Sequence, residues 1–404
     1  MDGPTILGAL STPQGRENPY PIYAAAHELG PVVSLGGNLL LVCGYDAVNQ
    51  AFRSPAFGSW DEHYDRPFLP DWREHPALLS LTRSVMYSNP PDHTRMREVM
   101  AQTFTARRVA ALEPVVRSIT AELLDALDEA GSDGSPVDFM EVFAFRLSVG
   151  VICELFGMPA EDRPLFRQLG ADWTEVFEVA PDPTALAAAN RAFAQFQAYF
   201  EQLIAARRAH PTDDLVSAVV QVVDREGAPL DAYELVCNLA VLLAAGYETV
   251  TNLFGNGLAL LFQHPDTAAQ LRAKTLDVAG FVEEVLRFDS PVQVSGRVAH
   301  ADTELADTQV PIGSAAILML GAANRDPKRY PNPDRFDPTR TDVHPASFGA
   351  GIHHCLGAAL ARLEGSIAFS QLVDRFPLLA PGGTPIRRDR LVLRGYQSLP
   401  VTLK

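Results

Sequence analysis

The ten residues Phe348 to Gly357, FGAGIHHCLG, run into LGAALARLEGSIAFSQLVDRF, Leu356 to Phe376. Apolar residues recur three and four apart in the second stretch, so it reads as an amphipathic helix with Cys355 at its start. Unpaired backbone N–H groups and the positive end of the helix dipole favour a thiolate over a thiol at such a position. Gly349 and Gly351 permit positive backbone angles and close approach of the loop to a flat ligand, and Gly357 permits the same of the helix. A lone cysteine after a glycine turn is usually incidental. The reading therefore rests on the whole string and on what the rest of the chain supplies.

The chain has 404 residues, 47% of them hydrophobic, enough for a large core. Length alone, at about 150 residues per domain, suggests two or three domains. No long Ser/Gly tract, like-charge block or fixed-period repeat divides the chain, and AGSDGSP at Ala130 to Pro136 reads as a short surface loop. Residues 1–404 are therefore expected to form a single domain. The net charge of -16, with 49 acidic against 33 basic residues and no basic cluster, argues against nucleic acid or an anionic membrane as partner. The N-terminal MDGPTILGALSTPQG has neither the basic start nor the apolar run of a signal or anchor, so a cytoplasmic location is expected. Cys43, Cys153 and Cys237 lie in apolar surroundings (LLVCGY, GVICEL, ELVCNL) and read as small buried hydrophobes. No cysteine pair has zinc or redox spacing.

Helical periodicity marks Pro21 to Leu29, Pro91 to Phe104, Arg107 to Glu129, Met140 to Phe156 and Thr184 to Arg207. Strand signals are confined to Ser34 to Cys43, Val292 to Ala299 and Leu391 to Leu403, where Gly395 suggests a turn. Asp231 to Gln263 would make one helix of about 50 Å. Glu234, Asn238, Glu248, Thr249, Asn252 and Asn256 interrupt it too often for lipid, so it reads as buried in protein. From Asn324 to Phe348 the periodicity gives way to a stretch rich in Pro, Asp and Arg.

The Cys355 string resembles the haem-binding loop of the cytochrome P450 family, Phe-Gly-x-Gly-x-His/Arg-x-Cys-x-Gly, at every defined position. The resemblance implies a mainly α, triangular single domain with a small β-rich lobe. It also implies haem b with Cys355 as iron ligand, and Phe348, Gly349, His353 and Gly357 around it. AAGYETVT, Ala244 to Thr251, resembles the family's oxygen-site motif, which places Ala245 over the haem and makes Glu248 and Thr249 a proton relay. Gly246 weakens the helix there, and a threonine hydroxyl can bond the carbonyl four residues earlier, at Ala245. Glu284 and Arg287 (EVLR) share a helix face. The resemblance joins them to an arginine of the Pro-rich segment, Arg340, with Arg335 also near enough. NPPDHTRMR resembles the family's His-x-x-x-Arg, giving His93 and Arg97, with Arg297 and His353, as partners for haem propionates. Arg95 falls off that face and reads as exposed, and His354 receives no ligand role.

The implied activity is insertion of one oxygen atom from O2, by hydroxylation or epoxidation, into a small molecule. Without a flavin or iron–sulfur segment, the chain would take NAD(P)H electrons through a ferredoxin and its reductase, and it is expected to be a monomer. Arg95, Arg107, Arg108, Lys328, Arg329 and Arg362 are candidates for the docking patch, although each singly reads as a solvated charge. Pocket positions by resemblance are Val85, Met86, Trp173, Phe177, Val241, Ala244, Ala245, Gln293, Val294, Tyr396 and Gln397, whose aromatics also read as core. Small Ala244 and Ala245 leave room for a bulky, largely apolar polyketide, terpenoid or peptide. Two alternatives are a peroxide-driven or radical-coupling haem-thiolate enzyme, disfavoured by the acid–alcohol pair, and a non-catalytic haem-based gas or redox sensor, disfavoured by the lack of an output domain.

Overall fold

A computed structural model describes residues 1–60, 68–225 and 229–403. Contacts gather into two units, one of Met1–Gly58, Thr120–Ala144 and Thr249–Lys404, the other of Ser59–Ile119 and Phe145–Glu248. The chain passes between them four times, the last time within the helix Ala232–Gln263. That helix is long and apolar enough to cross a bilayer, but 78% of its most apolar window is buried in protein.

The first unit carries the sheets. Five strands lie in the order Val32–Gly36, Leu39–Val42, Ala315–Met319, Val294–Ala299, Phe57–Gly58. Ser34 to Cys43, which reads as one strand signal, belongs to a hairpin that turns at Gly37 and Asn38. The middle strand, Ala315–Met319, runs parallel to Leu39–Val42 and antiparallel to Val294–Ala299. All five of its residues are buried, so its sequence AAILM shows no alternation and gives no periodic signal. In the tail, Tyr396–Ser398 and Pro400–Thr402 are separate short strands. Gly395 does not turn between them. A Cβ there would stand 2.0 Å from Asn252 Oδ1, so the glycine lets the tail lie directly on the long helix.

The second unit is built from helices, including Asp92–Thr103, Phe145–Phe156, Arg163–Trp173 and Pro183–Ala209. Asp182 starts the longest of these by accepting bonds from the Thr184 and Ala185 N–H groups at 2.8 and 3.0 Å. The pattern from Arg107 to Glu129 is two helices, Ala106–Ala111 and Glu113–Ala130. Pro114 cannot donate to the preceding turn, so a new helix starts there.

Two ion-pair hubs fix the first unit. Asp289, 4% exposed, accepts from Arg394 Nε at 2.6 Å and Tyr20 Oη at 2.5 Å on one oxygen, and from Arg387 Nη2 at 2.9 Å on the other. Burial works to raise the Asp289 carboxyl, but Arg387 and Arg394 outweigh it and hold the group far below the usual carboxylate range. In the second hub Arg287 forks onto Glu284 at 2.7 Å through both Nε and Nη2, with both side chains fully buried. Arg340 Nε stands 3.5 Å from Glu284 Oε1, whereas Arg335 lends only its carbonyl to Arg287. Arg287 Nη1 also donates to the carbonyls of Asn324 and Pro333, so the irregular 324–348 stretch hangs on this guanidinium.

Glu284→Gln leaves a buried guanidinium without its charge partner and is expected to lower stability by about 3–5 kcal/mol in urea unfolding. Asp289→Asn is expected to cost a similar amount, about 3–5 kcal/mol, at neutral pH. Because the folded group titrates below the unfolded value of about 3.9, the charged-state stabilisation is present above that pH and lost as acid is added below it. Thermal midpoints of parent and Asp289→Asn should therefore stay apart from pH 8 to 5 and converge only in stronger acid. Convergence near pH 6 would contradict the assignment.

Candidate active site

Cys355 is exposed, whereas Cys43, Cys153 and Cys237 are buried. Burial pushes each of those three thiols up to about 12 and keeps them as inert packing groups. Cys355 stands just ahead of the helix Ala358–Arg375, whose first turn begins at Gly357. Its N–H bonds the Phe348 carbonyl at 2.9 Å and closes the loop on itself. Gly349 and Gly351 both have positive φ, 65° and 68°. A Cβ on Gly351 would meet the Phe52 carbonyl oxygen at 2.2 Å, so only glycine fits.

Phe52, which sequence reading missed, organises this site. Its backbone meets Gly351, its ring edge lies 3.7 Å from a Cβ built on Gly349, and its ring stacks under the Arg297 guanidinium at 4.8 Å. Arg297 is only 6% exposed, on the strand Val294–Ala299. Behind the loop, the Ala346 N–H donates to Asn324 Oδ1 at 2.7 Å, and Ser347 Oγ donates to the Leu286 carbonyl at 2.7 Å. A chain of bonds thus runs from the Glu284–Arg287 pair through Asn324 to the residues that open the cysteine loop. Arg362 covers the Phe348 ring at 4.4 Å while paired with Glu283.

Phe348, Gly349, His353, Cys355, Gly357, Arg297 and Thr249 belong to one unit, and His93, Arg97, Ala245 and Glu248 to the other. In the latter, His93 is 2% exposed and lies four residues before the half-buried Arg97 on the Asp92–Thr103 helix, which places both on one face. The long helix presents Leu242, Ala245, Gly246 and Thr249 as a partly accessible stripe, while Glu248 is 1% exposed. A Cβ on Gly246 would come within 2.8 Å of Ile152, so this glycine serves close helix packing and not only a weakened helix.

The expected pocket positions differ in their exposure. Val241, Ala244 and Trp173 are buried to 1% or less. Gln293 accepts from Tyr23 Oη and donates to the Ser290 carbonyl, both at 2.7 Å, and its side chain is used up in packing. Tyr396 lies under Arg387 at 4.1 Å on a polar cleft of about 560 Å3 that also holds Tyr20, Asp289, Arg325 and Arg394. Val85 and Val294 are nearly buried, Met86 and Phe177 are partly accessible, and Gln397 is exposed. The docking patch changes too. Arg95 is not an exposed charge, because it grips Glu234 at 2.6 and 2.8 Å. Arg362, Arg329 and Arg108 pair with Glu283, Asp342 and Asp213, while Arg107 and Lys328 are exposed.

The donor set suits a haem. A porphyrin supplies four nitrogens and asks the protein for an axial atom. Among the described residues no group of three or more His, Cys, Asp or Glu could hold a bare ion, which a structural zinc would need. An exposed cysteine sulfur on a loop with glycines at 349, 351 and 357, with a buried guanidinium over Phe52 in the same unit, fits a flat, anionic, iron-bearing ring.

Comparison with known proteins agrees. The cytochrome P450 family model matches residues 5–397. The cytochrome P450 monooxygenase PikC of Streptomyces venezuelae is 37% identical, with 98% of this chain and 93% of PikC covered. The 6-deoxyerythronolide B hydroxylase of Saccharopolyspora erythraea is 38% identical, over 95% of this chain and 96% of its own. The tirandamycin C-bound structure of the P450 monooxygenase TamI superposes with a TM-score of 0.84 at 33% identity, covering 96% of this chain and 98% of that one. This chain therefore belongs to the cytochrome P450 family and is a monooxygenase that uses haem b, dioxygen and electrons from redox partners.

Proposed function

We propose that this monooxygenase hydroxylates or epoxidises a bulky, largely apolar natural product of polyketide, terpenoid or peptide type, with Cys355 as the residue that would hold the haem iron. The exposed Cys355 thiol on its glycine loop carries the assignment of the site. The substrate class draws support from the small residues Ala245 and Gly246 on the accessible stripe of the long helix. One relative is named for hydroxylating 6-deoxyerythronolide B, and another was solved with tirandamycin C. The reading further takes the chain as a single domain, monomeric and cytoplasmic, reduced by a ferredoxin and its NAD(P)H-dependent reductase.

When bound, the haem supplies the one-electron chemistry that activates dioxygen. Cys355 would give the sulfur, from a position just ahead of the helix Ala358–Arg375. His93, Arg97, Arg297 and His353 are the residues that would serve as partners for propionate carboxylates. Glu248, buried at 1% exposure, passes protons inward, and the Thr249 hydroxyl holds the last of them at its Oγ. Ala245 keeps the substrate side clear. Retention of Glu248 and Thr249 favours this reading over peroxide-driven or radical-coupling chemistry.

Substrate class is tested by titrating macrolide aglycones, terpenoids and cyclic peptides into the ferric protein and following the low-spin to high-spin change. Saturable conversion by one of these classes is expected, and conversion by none of them contradicts the proposal. Thr249→Ala should lower product formed per NADPH by about 100-fold while electron consumption continues and hydrogen peroxide accumulates. Unchanged coupling would remove Thr249 from the proton path.

A further inference from the structure

Asp231 stands just before the long helix, and Glu234 and Asn238, four residues apart in its first turns, share one face. Asp231 and Glu234 cap the helix reciprocally. The Glu234 N–H donates to Asp231 Oδ1 at 2.7 Å, and the Asp231 N–H donates to Glu234 Oε2 at 3.0 Å. A capping glutamate is ordinarily solvated, but Glu234 is only 4% exposed. Its two oxygens also take the fork of Arg95, Nη1 to Oε2 at 2.6 Å and Nη2 to Oε1 at 2.8 Å. Burial works to raise the Glu234 carboxyl, yet its bonds to Arg95 and to the Asp231 N–H outweigh it and hold the group below its usual value. Arg95 further binds Asp92 and the Pro229 carbonyl.

Arg95 sits midway between His93 and Arg97, about 200° around the helix axis from each. A fixed guanidinium on the far side of the Asp92–Thr103 helix sets the rotation of that helix about its own axis, and therefore where His93 and Arg97 point. We infer that the Glu234–Arg95 fork is a positioning clamp for the propionate-binding face, so that haem is released faster when the clamp is broken although no haem-contacting group is changed. The inference rests on the proposed roles of His93 and Arg97.

The test follows haem transfer from the holoprotein to excess apomyoglobin, together with the haem propionate bands in resonance Raman spectra. Glu234→Gln is expected to release haem about 10- to 100-fold faster than the parent, as loss of a partner behind a ligand commonly does, and to shift the propionate bands. Arg95→Lys, which keeps the charge but not the fork, should fall between the two and covers the case in which Glu234→Gln does not fold. Tyr199→Phe, which removes the bond to Asp162 in the same unit, should alter neither readout. Release at the parent rate by Glu234→Gln and Arg95→Lys, or equal acceleration by Tyr199→Phe, overturns the clamp. A parent that shows the thiolate-type band of the reduced carbon monoxide complex while the variants keep its release rate sinks the clamp alone. A parent without that band sinks the haem assignment and the clamp with it.

Discussion

The Cys355 thiol, the sulfur proposed to hold the haem iron, stands exposed on a loop whose place is set by backbone contacts. The position of that sulfur depends on backbone as much as on cysteine chemistry. Only glycine fits at 351, because a Cβ there would meet the Phe52 carbonyl oxygen, and the Cys355 N–H closes the loop by returning to the Phe348 carbonyl. Further back, Asn324 and Ser347 tie the loop's entry to the Arg287 guanidinium and to the Leu286 carbonyl. The buried Glu284–Arg287 pair therefore acts on the sulfur through two backbone anchors without touching it.

The long helix Ala232–Gln263 carries its polar residues for distinct physical reasons. Asp231 and Glu234 cap it and grip Arg83 and Arg95, and Asn238 accepts from the Val85 N–H at 2.9 Å. Further on, Asn256 donates to the carbonyls of Asp289 and Arg394 at 2.9 and 3.0 Å. Glu234, Asn238 and Asn256, three of the polar residues that interrupt the apolar run, thus attach neighbouring segments within their own units.

Much of this was legible in the sequence because spacing encodes it. The glycine–cysteine string, the Glu284/Arg287 pair and the His93/Arg97 pair sit at separations that local backbone geometry converts directly into shared faces. The mixed class, helices with small sheets, followed from periodicity. What stayed hidden depends on contacts distant in sequence. The Ala315–Met319 strand is buried on both faces and so lacks alternation. Phe52 and Asn324 carry no motif, and their roles come from a ring and an amide placed hundreds of residues or a whole loop away from what they hold. Arg95 was read as exposed because helix spacing excluded it from the His93 face, whereas its partner, Glu234, lies 139 residues on. The burial of Val241, Ala244 and Gln293 likewise has no sequence signal, since it arises only when side chains are packed.

The bond between iron and the sulfur of Cys355 is tested most directly by the absorption spectrum of the dithionite-reduced, carbon monoxide-bound protein, recorded for the parent and for Cys355→His. The account predicts a Soret band of the thiolate-ligated type in the parent and its replacement by the histidine-ligated type in the variant. A parent band of the histidine type, or an unaltered thiolate-type band in Cys355→His, would contradict it.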